Sequence, residues 1–312
     1  MIKLLTMLSK RSKTSLLGLL FLSSIGSQAQ YTNLINSNRP GLSQGAFAVG
    51  VNVIQLETGL NMIKEERVPQ TPYTVKGIGA EFLVRYGLLW EQLEVQIEGM
   101  YQNDTKSYQS GAGFETDRAN FKSLTAGVKY LIYDPYKNPN YDAINLRSYK
   151  ANHGFKWKHL IPAVSVLAGI NYDTKDNPYI YNPYTTEQAE GISPQARIIT
   201  QNNFKGGWVL VTNVMMDRIG TDISDLHYLI TLTHAINTKW VVFAETHGIK
   251  SDLYADNLFR FGGAYLWNSN FQIDTYATLN AKDTPKVFNL GIGVSYRLDF
   301  HQDKIPENVE QE

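Results

Sequence analysis

The chain has 312 residues, 29 basic and 29 acidic side chains, and no cysteine. The missing thiols exclude disulfide staples, thiolate metal sites and an acylated N-terminal cysteine. The balanced charge argues against a dedicated nucleic-acid binder, which would show a basic patch or stripe.

The N-terminus reads as a secretory signal. Lys3, Lys10, Arg11 and Lys13 form a basic region, Ser15 to Ile25 an apolar one, and Ser27 and Ala29 supply the small residues of a cleavage site. The apolar run is far shorter than the roughly 20 residues of a spanning helix. Cleavage before Gln30 leaves a mature chain of formal charge −4, because the 29 basic residues lose four.

From there the pattern has period two. A first strand is expected over 46–62. Ile78, Ala80, Phe82, Val84, Tyr86 and Leu88 then alternate with mostly polar or small residues, and 93–101 and 124–132 repeat the scheme. Further strands are expected at 160–171, 194–204, 207–216, 226–236, 240–249, 259–267 and 271–280. The last is the clearest: Phe288, Leu290, Ile292, Val294, Tyr296, Leu298 and Phe300 alternate without a break. Successive side chains of a strand point to opposite faces, so each segment has one apolar face.

Twelve such segments of near ten residues predict an all-β fold, a transmembrane antiparallel up-and-down β-barrel with both termini periplasmic. Residues 1–29 would be the signal peptide, 30–300 the barrel and 301–312 a periplasmic tail. A soluble sandwich also alternates, but its strands are shorter. The minor faces here carry charges of both signs: Glu81, Arg85, Glu94, Glu98, Lys129, Arg197, Arg260, Asp274 and Arg297. Such groups are costly against lipid and are expected to pair in a lumen.

The connections sort by length. Even strands are followed by tight turns, such as Lys205-Gly206-Gly207, and odd strands by longer external loops at 63–76, 102–121, 172–192, 217–225, 250–257 and 281–287. One even connection, 134–159, is long and carries Lys137, Arg147, Lys150, Lys156 and Lys158. A connection of that length is either a decorated turn folded against the barrel mouth or an element with a task, docking an envelope partner or plugging the lumen against Glu94 and Glu98.

The motifs RPGLSQG (39–45), QLETGL (55–60), FAETHG (243–248), NFQIDTYATL (270–279) and GIGVSYRL (291–298) resemble the transporter-like outer-membrane family named for a MetA pathway of phenol degradation. WKHLIPAVSVLAG (157–169) resembles the form common in Bacteroidota members. The resemblance implies an outer-membrane barrel assigned to transport. The 134–159 insertion and the tail beyond Phe300 depart from it.

No nucleophile elbow, P-loop or zinc-helix pattern is present, and the histidines are scattered. Glu245 and His247 share one face and are expected to pack in the lumen. No enzyme activity, cofactor, metal or nucleic-acid partner is expected. Outer-membrane lipids are the expected surroundings, with other envelope proteins as partners. The expected function is a structural or accessory subunit of an outer-membrane complex, with a passive channel for small solutes as the alternative.

Overall fold

The C-terminal alternation becomes the strand that closes the molecule. In the computed structural model, residues 34–301 are described except 69–71, 110–112, 139–146, 149–155, 176, 180–190 and 253. Twelve antiparallel strands form one closed barrel: β1 Val53–Arg67, β2 Tyr73–Gly87, β3 Leu93–Tyr108, β4 Phe114–Tyr133, β5 Ala163–Asp173, β6 Gly191–Phe204, β7 Trp208–Asp217, β8 Asp225–Ala235, β9 Trp240–Lys250, β10 Ala255–Asn268, β11 Phe271–Asn280 and β12 Lys286–Asp299. β12 pairs with β1 from Val53↔Asp299 to Glu66↔Lys286, so no sheet edge remains.

The facing follows the pleat. On β12 Ile292 is 62% exposed on the outside, and Ser295 is fully buried inside. Leu60, Met62, Ile78, Ile97, Ile170 and Ile198 continue the exposed apolar surface around the wall. That surface suits lipid and would be a large apolar patch on a soluble protein.

All five tryptophans sit at one end. Trp90, Trp157, Trp208, Trp240 and Trp267 lie in or beside the connections that follow even-numbered strands, and all are exposed. Indole favours the boundary between lipid and water, so this ring marks an interface. It lies at the short-turn end of the barrel, which is the periplasmic end.

Two expectations change. β1 begins at Val53, and 46–52 is not part of the sheet. The predicted loops 63–76 and 102–121 are mostly strand, with the described turn residues between β3 and β4 reduced to Gln109 and Gly113. The cause is visible in the pairing. Beyond the apolar band the ladder continues with polar partners, including Thr105–Asp117 and Ser107–Glu115. Both faces there are polar, with Asp104 and Lys106 on the inner one, so the hydropathy alternation stops while the strand does not. β1 to β4 run 15 to 20 residues, against 10 to 14 for the others. The outer wall is therefore taller on that side.

Candidate functional site: a lumen occupied by the segment before the first strand

Residues 34–52 enter the barrel and follow its inner wall. The Ser37 hydroxyl lies 2.6 Å from that of Ser295 on β12. The backbone amides of Asn38 and Arg39 donate to Glu57 on β1. Arg39 then reaches Asp274 on β11, and the Pro40 carbonyl accepts from Arg260 on β10. The amides of Leu42 and Ser43 donate to Glu245 on β9, and the Ser43 hydroxyl lies 2.6 Å from that of Thr231 on β8, which donates to Glu245. Gln44 exchanges two hydrogen bonds with Asn213 on β7. The Ala46 amide donates to Gln201 on β6, and its carbonyl accepts from Ser165 on β5. Lys129 on β4 donates to the Gly45 and Phe47 carbonyls, Arg85 on β2 to the Asn36 and Phe47 carbonyls, and the Val49 amide donates to Glu94 on β3. The segment thus bonds to every one of the twelve strands. From Ser37 to Val49 it meets them nearly in descending order, from β12 to β3.

The irregular backbone makes this necessary. A segment outside the sheet has no ladder for its N–H and C=O groups, and burial without partners costs about 1–3 kcal/mol per group. The wall supplies side-chain carboxylates, amides and hydroxyls at matching heights. Asn38 Oδ1 accepts from the Gly45 amide and ties the loop back on itself. One apolar contact adds to the polar ones: Ala46 packs with Leu131, Ala163, Leu167 and Ile199, flanked by Phe47 and Tyr136.

Arg39 is the centre of the charge arrangement. Its guanidinium makes 3.0 Å contacts with Glu81 on one side and Asp274 on the other. The floor beneath it is two glycines paired across the closing seam, Gly59↔Gly293. A Cβ on Gly59 would stand 2.3 Å from an Arg39 nitrogen, and one on Gly293 2.2 Å. Neither position has room for a side chain while Arg39 is seated.

The nine inward charges expected from the alternation fall into groups. Glu81 and Asp274 hold Arg39. Arg85, Glu94 and Lys129 form one fully buried network with Glu57, at 2.8 to 3.3 Å. Glu98 pairs with Arg197 at 3.0 Å and accepts from Gln44. Arg260 lies 4.1 Å above the ring of Tyr276. Arg297 pairs with Asp299 near the short-turn end, apart from the others. Glu245, expected to accompany His247, instead faces the inserted segment, and His247 lies 3.0 Å from His227.

The 134–159 connection is described only in part. Residues 139–146 and 149–155, with Lys150, lie outside the described residues. Its described ends are short helical turns, Pro135–Lys137 and Trp157–Leu160. Tyr136 packs on Phe47, and the His159 carbonyl accepts from Asn202. Lys137, Lys156 and Lys158 are partly exposed, and Arg147 is exposed. The lumen is occupied by residues 34–52, and the carboxylates of Glu94 and Glu98 are already taken by lumenal cations. Arg39, Glu57, Gly59 and Gly293 were missed as site residues. The available signal was that the motif at 39–45 lies in this segment and those at 55–60, 243–248, 270–279 and 291–298 each place at least one residue against it.

A closed barrel with an apolar exterior, an interfacial tryptophan ring and a charged interior holding its own N-terminal segment defines an outer-membrane β-barrel protein. The family described as "Putative MetA-pathway of phenol degradation" matches residues 37–298, and the chain belongs to that family. Among solved structures, an outer membrane channel from Pseudomonas putida F1 aligns over 85% of this chain and 100% of its own, with TM-score 0.52 and 10% identity. The transport unit of the autotransporter AIDA-I from Escherichia coli covers 84% and 93%, with TM-score 0.47 and 10% identity. The toluene transporter TodX from Pseudomonas putida covers 87% and 95%, with TM-score 0.45 and 9% identity. No curated protein matches the chain in sequence.

Proposed function

We propose that this protein is a passive outer-membrane channel for small polar solutes, kept narrow by residues 34–52 and opened when that segment leaves the wall. The observation that carries the reading is the bonding of the segment to all twelve strands through mainly polar contacts. Water can replace such contacts singly, so each has a modest net worth, about 0.5–1.5 kcal/mol between neutral groups and about 1.5–3 kcal/mol to a charged one. A permanent plug would be expected to rest on a continuous apolar core. Twelve strands also enclose more space than eight, whose interior side chains fill. The Pseudomonas protein of similar fold is itself described as an outer membrane channel, which supports this reading over the accessory subunit. Export would use the 1–29 segment, with cleavage before Gln30.

The test is single-channel recording in planar bilayers. Unmodified protein should show small, infrequent steps. Arg39→Ala removes the cation between Glu81 and Asp274 and should raise open probability several-fold. Equal, negligible conductance in both proteins, together with stable co-purification of another envelope protein, would favour the accessory subunit instead.

A further inference from the structure

A group of polar side chains at the outer end of the lumen, remote from the inserted segment, has no part in the channel reading. Asp217 is the last residue of β7, Asp225 the first of β8, and they face each other as cross-strand partners. Like charges directly opposed across a ladder are destabilising unless a cation lies between them. The nearby cation is Arg218, but its single charge is shared among three carboxylates and is closest to Asp173 and Asp217. It contacts Asp173 at 2.9 and 3.0 Å and Asp217 at 2.9 Å, and lies 3.9 Å from Asp225. Asp217 is further held by Asn171 at 2.6 Å and Gln195 at 2.9 Å.

Asp225 is the carboxylate left over. It is 5% exposed, and its Oδ1 is buried with no hydrogen-bond partner among the described residues. His227, two residues along on the same face, presents an Nε2 that is also buried and unpartnered, 3.8 Å from Asp225. The other ring nitrogen, Nδ1, lies 3.0 Å from Nε2 of His247. With Nδ1–H donating to His247, the lone pair of His227 Nε2 faces the carboxylate. Two electron-rich atoms in that arrangement need a cation between them. A second residue that fixes the tautomer of a histidine is the usual support of a metal ligand.

We propose that Asp217, Asp225 and His227 form a divalent-metal site at the outer mouth of the barrel. One ligand atom from each lies within 4.8 Å of the other two. Small side-chain rotations bring such atoms to the roughly 2.0–2.2 Å that zinc requires. The imidazole favours a first-row ion of the Zn²⁺ class, with water completing the sphere, over the all-oxygen sites of Mg²⁺ and Ca²⁺. Bound there, the ion balances the opposed carboxylates and pins β7 to β8 at the external hairpin.

Calorimetric titration of ZnCl₂ into the full chain, folded in detergent and without a polyhistidine tag, tests the site. One equivalent should bind, with MgCl₂ failing to compete. Asp225→Asn and His227→Gln should each weaken binding at least tenfold, and Asp222→Asn in the exposed turn should leave it unchanged. Absence of saturable binding, or undiminished binding in both folded site variants, would overturn the proposal. If the variants fail to give the heat-modifiable folded form, zinc-edge absorption on unmodified protein decides. Imidazole scattering with oxygen neighbours supports the site, and an oxygen-only shell overturns it. No transport is measured, so the result is independent of the channel reading.

Discussion

Arg39 and the two glycines beneath it illustrate what a single position contributes. The guanidinium lies between Glu81 and Asp274, whose side chain is fully buried. Breaking a buried ion pair by removing one partner costs about 3–5 kcal/mol, because the stranded charge keeps its desolvation penalty. Gly293→Val acts on the same group indirectly: the new side chain occupies the space of the guanidinium. The variant should fold, since a β-branched residue suits a strand, yet release the segment. Limited proteolysis of folded protein should cut near Arg39 many times faster than in the unmodified chain, and unchanged protection would mean the glycine floor is not required. The inward charges were legible in the sequence because alternation sets them opposite an apolar row. Arg39 was not, because it lies in a stretch with no period and its partners are up to 235 residues away.

At the level of elements, strand existence was readable throughout and strand ends were not. Residues 46–52 (AFAVGVN) look like the start of a strand because apolar side chains recur there. Ala46 in fact packs inside the lumen with Leu131, Ala163, Leu167 and Ile199. Composition cannot tell an apolar residue facing lipid from one facing a lumenal apolar cluster. The β3–β4 hairpin failed in the opposite direction, since its outer half is polar on both faces. The described residues just after β5 lie against β4: Asn177 donates to the Phe121 carbonyl, and the ring of Tyr179 lies 5.0 Å from the Arg118 guanidinium. Lys175 beside it is exposed, as is Lys239 at the short-turn end. The native chain has no thiol, so single cysteines report sidedness cleanly. Lys175→Cys should label in intact cells with a membrane-impermeant maleimide, and Lys239→Cys only after the outer membrane is broken. The reverse pattern would invert the barrel.

For the whole molecule, the closed wall and the inserted segment form one hydrogen-bonded unit. The wall supplies lumenal charges that need partners, and the segment supplies backbone groups and Arg39 that need the wall. Barrel class followed from strand count, alternation and connection lengths, all of which are local properties. Occupancy of the lumen did not, because it depends on where a non-periodic segment goes once the wall has closed. The 134–159 connection drew attention as a plug or docking element by its length and its basic residues, and neither says anything about direction. The proposed channel requires that residues 34–52 move for solute to pass. Ser37 and Ser295 have hydroxyls 2.6 Å apart, a separation that places their Cβ atoms within reach of a disulfide. The most direct measurement is therefore solute flux through the Ser37→Cys/Ser295→Cys protein in liposomes, oxidised and then reduced. A channel opened by movement of this segment should pass no flux above background when the bond is formed and flux at the level of the unmodified protein after reduction. Equal flux in the two states would show that solute passes with the segment in place, or through another route, and would overturn the proposed gating.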